Sequence, residues 1–191
     1  MVTDRLDEVL DAAYDCLTRY GVRRTTMDDI AITMGVSRSA VYQYVRNKDD
    51  AFRRLAVRLH DKALVRAQQA AGDPDASHAD RIHGVLTAKL DLVRELSGPS
   101  PHTAELLDQK ARLFGEICAA YTADLQRLLV GLFTEAGTAA HIDPAEAADI
   151  TIALAVGLES ATDGRTLLGP ATDALLTGLL ESRADAHRPT T

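Results

Sequence analysis

Between Gly35 and Asp50 the chain reads "GVSRSAVYQYVRNKDD", and its side chains are of the types that recognise a polyanion. Arg38 and Gln43 each carry a flat, two-pronged polar end that can meet a base edge in the DNA major groove. Tyr42 and Tyr44 are long arms ending in hydroxyls that can reach phosphate oxygens, and Lys48 adds an ammonium. Ser37 and Ser39 supply short hydroxyls among them. The alternative is an ordinary solvated helix face, but such faces rarely carry two tyrosines. Four of the five tyrosines in the chain lie within its first 44 residues.

Spacing divides these residues by role. A helix turns by about 100° per residue, so from Val41 the stripe continues one turn on at Val45, and the two valines form the inward face. Gln43, two residues beyond Val41, and Ser39, two residues before it, project to the opposite side, and Arg46 joins them there. These three face straight out. Tyr42 and Arg38 fall on one flank of the helix and Tyr44 on the other. An outward centre of polar readers between two phosphate-reaching flanks fits a helix lying in a major groove.

Such residues need a rigid mount. Thr26 reads as the cap of a preceding helix, with Asp29 three residues on completing a capping-box pair. Met27, Ile30, Ala31 and Met34 give that helix its apolar stripe. Gly35 ends it and Ser37 caps the next, which is the punctuation of a helix-turn-helix. Upstream, Leu6, Val9, Leu10, Ala13 and Leu17 have helical spacing, with Gly21 as a stop. Downstream, Asn47 caps a helix that meets no breaker until "GDPD" after Ala71. Thr26 and Lys48 both stand at helix amino ends, where backbone N–H groups attract phosphate.

The remainder is also helical. Helices are predicted over 79–97, from near His102, from Lys110 to Ala136, from Asp143 to about Ala161, and from Pro170 to Ala184. Asp143, Pro144 and Glu146 make the clearest of these starts. No period-2 alternation marks a strand. The expected fold is all-α with about nine helices.

Composition narrows the function. Of 191 residues, 46% are apolar and 26% charged, as in a globular protein. The net charge of −7 is uneven: residues 19–66 hold eleven Lys or Arg against five acids, while the flanking stretches are acidic. One cationic segment in an acidic chain fits a single polyanion-binding surface. The start is unlike a signal peptide, and the most apolar run, Ile150 to Leu158, is too short to span a bilayer. Cys16 and Cys118 read as reduced thiols in a cytoplasmic protein. His78 and His83 lack metal-ligand spacing, and no catalytic motif or cofactor loop is present. Neither a catalytic residue nor a cofactor is expected.

"GVRRTTMDDIAITMGVSRSAVYQYVRNKDDAF", Gly21 to Phe52, resembles the DNA-binding segment of the TetR family of bacterial transcriptional regulators. The shared positions are Gly21, Thr25, Thr26, Ile30, Ala31, Gly35, Val36, Ser37, Tyr42, Tyr44 and Lys48. Val41 and Val45 replace the family's Leu and Phe, Met34 its Ala, and Asp49 its Glu. The resemblance implies a DNA-binding domain over residues 1–50, with Thr26, Ser37, Arg38, Ser39, Tyr42, Gln43, Tyr44 and Lys48 on DNA. It also implies a ligand-binding and dimerisation domain over 51–191, and a homodimer released from a palindromic operator by a small-molecule effector. An activator, an effector-independent regulator or a helical scaffold for protein partners are the alternatives.

Two features of the second half bear on that expectation. "AADITIALAVGL" is apolar nearly all round, and Ala153, Gly157 and Ala161 form a small-residue ridge on which a partner helix could sit. With Leu175, Leu176 and Leu179 of the last helix they make the expected dimer interface. Leu86, Leu90, Val93, Leu106, Phe114, Ile117 and Tyr121 lie on apolar stripes and are the candidate effector-binding residues.

Overall fold

The computed structural model describes residues 4–97 and 103–180, with backbone only at 96–97 and 103–113. Among the described residues there are eight helices and no strand. They are α1 (Arg5–Arg24), α2 (Met27–Met34), α3 (Arg38–Val41), α4 (Lys48–Ala71), α5 (His78–Ser97), α6 (Thr103–Ala136), α7 (Pro144–Glu159) and α8 (Gly164–Leu179).

The local signals explain most boundaries. Gly21 interrupts α1 with φ of 79°, a left-handed conformation that glycine adopts without strain. The Thr25 hydroxyl donates to the carbonyls of Gly21 and Cys16, at 2.7 and 3.1 Å, and so satisfies acceptors around this break. Thr26 and Asp29 form the expected capping box on α2, and Gly35 closes that helix at φ of 67°. Asn47 Oδ1 accepts the Asp50 N–H at 2.8 Å and starts α4. Asp143 and Glu146 cap α7 reciprocally, with Pro144 in its first turn.

Three expectations are corrected. The short helix expected near His102 and the long one expected from Lys110 are one helix, α6, because nothing between Thr103 and Lys110 breaks it. His102 itself lies outside the described residues. Pro170 does not open α8 but sits inside it, with Gly164 as the first helical residue. The helix ends before the expected Ala184: Leu180 is extended and bridges to Thr138, while residues 181–184 lie outside the described part.

The chain packs as two units that are not consecutive stretches. The first comprises residues up to Lys62 together with Leu92–Ala119; the second comprises Ala63–Asp91 and the chain from Ala120 onward. The core of the first is built on Val9, Ile30, Val41, Val45, Phe52 and Leu55, with Phe114 packed among them. In the second, Ile82, Leu86, Leu125, Leu129, Phe133 and Leu168 are fully buried. Each such side chain contributes about 1.5–3 kcal/mol by leaving water. Lys89 and Glu159 pair at 2.6 Å within the second unit, and both are nearly buried. No helix among the described residues is long and apolar enough to cross a membrane.

Candidate nucleic-acid interface

The α2–α3 pair is held at both ends. Val41 and Val45 are 0% and 1% exposed, which anchors the inner face of α3 in the core of the first unit. At the start of α4, the Lys48 ammonium donates to the carbonyls of Val22 and Arg23, at 2.9 and 3.1 Å. Those carbonyls end α1, where a cation is favoured by the helix dipole. The residue that opens α4 therefore also closes α1.

The outward side of α3 agrees with the reading from spacing, with one change of geometry. Regular α-helix stops at Val41; beyond it, Gln43 and Tyr44 bond back to Ala40 and Val41 in i→i+3 fashion. This tighter winding carries the helix to Tyr44 without altering which residues face out. Arg38, Ser39, Tyr42, Gln43 and Arg46 are exposed, and Tyr44 is half-buried against the core. Tyr44 thus adds packing to its place on the flank, whereas Tyr42, 42% exposed, is chiefly a surface residue.

Arg38 is preorganised. Its Nη2 donates to the Tyr42 hydroxyl at 3.0 Å, its guanidinium lies 5.4 Å from the centre of the Tyr42 ring, and its Nη1 pairs with Asp28 at 3.3 Å. With side chains more than half exposed on both sides, the Asp28 pair adds little to stability and is readily exchanged for a phosphate. Ser37 Oγ accepts the Ala40 N–H at 3.3 Å and bonds the Ser39 hydroxyl at 2.9 Å, so Ser37 serves first as a cap. Thr26 is exposed, but its hydroxyl and N–H are both engaged by Asp29.

Arg46 is oriented from behind. Asp50 accepts the Arg46 backbone N–H at 2.9 Å, and its oxygens lie 3.3 Å from the guanidiniums of Arg46 and Arg54. Burial would raise the Asp50 pKa, but the Arg46 backbone and side-chain hydrogen bonds and the Arg54 charge prevail and hold it below the usual value. Asp28, Asp50 and Thr25 shape this surface and were not among the candidate residues. Asp50 carries a local signal, three residues after the cap Asn47; the Asp28–Arg38 contact spans ten residues and leaves none.

The candidate effector residues are divided between the two units. Phe114 and Ile117 belong to the core of the first, while Leu86, Leu90 and Tyr121 are buried in the second. Val93 is half-buried, and the Leu106 side chain lies outside the described residues. A groove of about 560 Å³ in the first unit is lined by Leu6, Leu10, Val57 and Arg53, Arg54 and Arg58, among others. A second, of about 270 Å³, lies beside Arg81, Leu128 and Glu135. None of the candidate effector residues lines either one. Among the described residues, no group of three His, Cys, Asp or Glu could hold a metal.

On α7 and just beyond it, Ala153, Gly157 and Ala161 are all exposed, together with Ile150 and Val156. Leu167 of α8 is 45% exposed and Leu175 half-buried, but Leu176 and Leu179 are each only 4% exposed. The last two spend their apolar surface inside the chain.

Comparison with known proteins agrees with this geometry. Residues 9–55 match the family model of bacterial regulatory proteins of the tetR family. An uncharacterised HTH-type transcriptional regulator of Bacillus subtilis, YhgD, is 29% identical over 91 residues, covering 48% of this chain and 47% of that protein. The HTH-type transcriptional regulator TtgR of Pseudomonas putida is 34% identical over 70 residues, 36% of this chain and 33% of that protein. The matches thus span about half or less of these curated relatives. Among solved structures, SmeT, the repressor of the Stenotrophomonas maltophilia multidrug efflux pump SmeDEF, superposes with a TM-score of 0.69 at 21% identity, covering 99% of this chain and 96% of that one. A TetR/AcrR-family regulator from Thermobifida fusca gives 0.64 at 22% identity, covering 98% and 100%. SmeT has also been solved as a complex with triclosan.

Proposed function

We propose, from the match of residues 9–55 to the tetR family of bacterial regulatory proteins, that the chain is a DNA-binding transcriptional repressor that works as a homodimer and releases a palindromic operator when a small molecule binds. It acts by binding, not by catalysis. The observation that carries this reading is the exposed set Arg38, Ser39, Tyr42 and Gln43 on a helix fixed to the core by Val41 and Val45. Side chains that must match base edges need a mount that does not move, and α3 has one.

Gln43 and Arg38 read bases; Tyr42, Tyr44 and Lys48 hold the backbone. Thr26 and Ser37 contribute the amino ends of α2 and α3. Dimerisation through the exposed apolar face of α7, with Leu167 and Leu175 of α8, sets the spacing between two recognition helices. Two-fold binding needs half-sites about 34–36 Å apart, so an effector that shifts this spacing releases DNA. Support for an effector comes from SmeT, a fold neighbour solved with triclosan. Of the candidate effector residues, Leu86, Leu90 and Tyr121, all buried within the second unit, are proposed to line the effector site.

Selection from a random duplex pool tests the reading. Enrichment of a palindrome with half-sites about one helical turn apart is expected, with an affinity that falls steeply with salt. Recovery of no common sequence would remove the operator-binding role.

A further inference from the structure

Within the first unit, α4 and α6 bring together two residues that the DNA-binding surface does not use. His60 is 5% exposed, and its Nδ1 lies 2.7 Å from the Ala56 carbonyl. A carbonyl only accepts, so Nδ1 carries the hydrogen, which makes Nε2 the basic nitrogen of the neutral ring. That Nε2 lies 3.5 Å from Cys118 Sγ, a hydrogen-bonding distance for sulfur. Cys118 is half-buried and packs against the apolar core. A thiol held on the basic nitrogen of a tautomer-locked imidazole is the arrangement that activates a cysteine nucleophile.

We propose that Cys118 and His60 form a reactive thiol–imidazole pair that adds small, uncharged, electron-poor alkenes at Sγ. In the addition, Nε2 of His60 takes the thiol proton as the sulfur electron pair forms a bond to the β-carbon. The π pair of the alkene moves to its α-carbon, which recovers the proton from Nε2. Thiol and alkene are wholly retained in the product, with no oxidant, reductant or leaving group. The substrate class follows from the surroundings: a charged reagent would have to shed its hydration beside an apolar core. Since His60 lies on α4, the helix whose Lys48 ties down α1, an adduct there is placed to alter DNA binding. That consequence rests on the proposed function, whereas the addition itself is read on free protein, so the two can fail separately.

The molecule contains its own control. Cys16 is 0% exposed, lies 3.3 Å from the Thr33 hydroxyl, and has a thiol pKa pushed up by burial. The experiment treats the full chain at neutral pH with N-ethylmaleimide, and follows each cysteine by peptide mass spectrometry. Cys118 should react about tenfold faster than free cysteine, which at this pH is only a few per cent thiolate, and Cys16 far more slowly. His60→Asn keeps an amide N–H for the Ala56 carbonyl but removes the base, and should slow Cys118 about tenfold. Cys16 doubles as the folding monitor: where it stays slow, the variant is intact. Should His60→Asn expose Cys16, His60→Gln repeats the measurement with an amide at the Nε2 position. Acrylamide and acrylate, each normalised to its rate with free cysteine, test the charge preference, with acrylamide expected to lead. A Cys118 rate no higher than that of free cysteine, or one that survives loss of the imidazole in an intact variant, would overturn the pairing. Equal normalised rates for acrylamide and acrylate would overturn the substrate class.

Discussion

The Nζ of Lys48 lies 2.9 Å from the carbonyl oxygen of Val22, so the first residue of α4 is bonded to the last turn of α1 across 26 positions of sequence. A lysine at the amino end of a helix invites the reading of a pure phosphate clamp. Two of its three ammonium hydrogens are instead directed to carbonyls, of Val22 and Arg23. Lys48→Ala should therefore act twice. It should lower stability by about 1 kcal/mol, or roughly 2–4 °C in melting temperature for a chain of this size. It should also weaken operator and random duplex alike and reduce the salt slope by about one unit per site. A thermal melt beside a salt titration separates the two effects. A variant that melts as the parent does and binds with an unchanged slope would remove Lys48 from both roles.

Asp28 is an acid on a surface proposed to meet DNA, and it is paired with Arg38 at 3.3 Å. Asp28→Asn removes a charge that repels phosphate and releases Arg38 from the pair. Its cost to the fold should be small, since the pair is exposed and screened by solvent. Affinity for any duplex should rise, with a steeper salt slope. Gln43→Ala should behave oppositely: a loss of about 1–3 kcal/mol on operator, little change on random DNA, and relaxed preference at one position of each half-site. If the two variants change the operator-to-random ratio in the same way, Gln43 is not a base reader.

The contrast between these residues and the rest shows what a sequence can disclose. Capping pairs such as Thr26 with Asp29 and Asp143 with Glu146 operate over three residues, so their chemistry and their spacing are visible together. The outward faces of α3 follow from periodicity once Val41 and Val45 are recognised as the inner stripe. Contacts such as Arg58 with Asp7 and Asp11, or His60 with Cys118, join positions 47 to 58 residues apart and have no local pattern. The candidate effector residues fall in two different units for a related reason. A helical stripe tells that a residue is buried, but not in which core: Phe114 and Leu125 lie on the same helix α6 and pack in different units. Pro170 misled because its preference for a first turn is only a tendency, and packing of Leu168 and Thr172 holds α8 through it.

The Asp50 carboxyl gives a pH test. Its pKa is lowered in the folded state, so its contribution is present above the unfolded value, near 3.8, and is lost as pH falls through the lower folded value. Asp50→Asn should cost about 1.5–3 kcal/mol at neutral pH, as expected for hydrogen bonds to a charged group. The gap between variant and parent should stay constant from about pH 7 to about pH 5 and close below about pH 4. Urea melts at a series of pH values provide the measurement. A gap that persists undiminished at the acid end would mean that the Asp50 charge is not what orders Arg46 and Arg54.

The proposed dimer face can be tested without endangering the chain. A Cβ built at Gly157 meets nothing within 4 Å, so a larger side chain there has room in the single chain. At Gly164, by contrast, a Cβ would collide with the backbone oxygen of Leu158, where α7 turns into α8. Gly164→Ala should therefore destabilise the fold itself, by overpacking against a backbone that cannot yield. Gly157→Leu should leave the single chain intact and act only where a second copy sits on the Ala153–Gly157–Ala161 ridge. A two-fold interface meets the new side chain twice, at about 1–3 kcal/mol each, enough to weaken association by more than about a hundredfold near the upper end. Sedimentation at micromolar concentration should show Gly157→Leu as a folded monomer with parental helicity. A thermal melt should show Gly164→Ala with a reduced melting temperature. A Gly157→Leu protein that sediments as a dimer would move the interface off this ridge, toward the exposed Leu167 flank of α8.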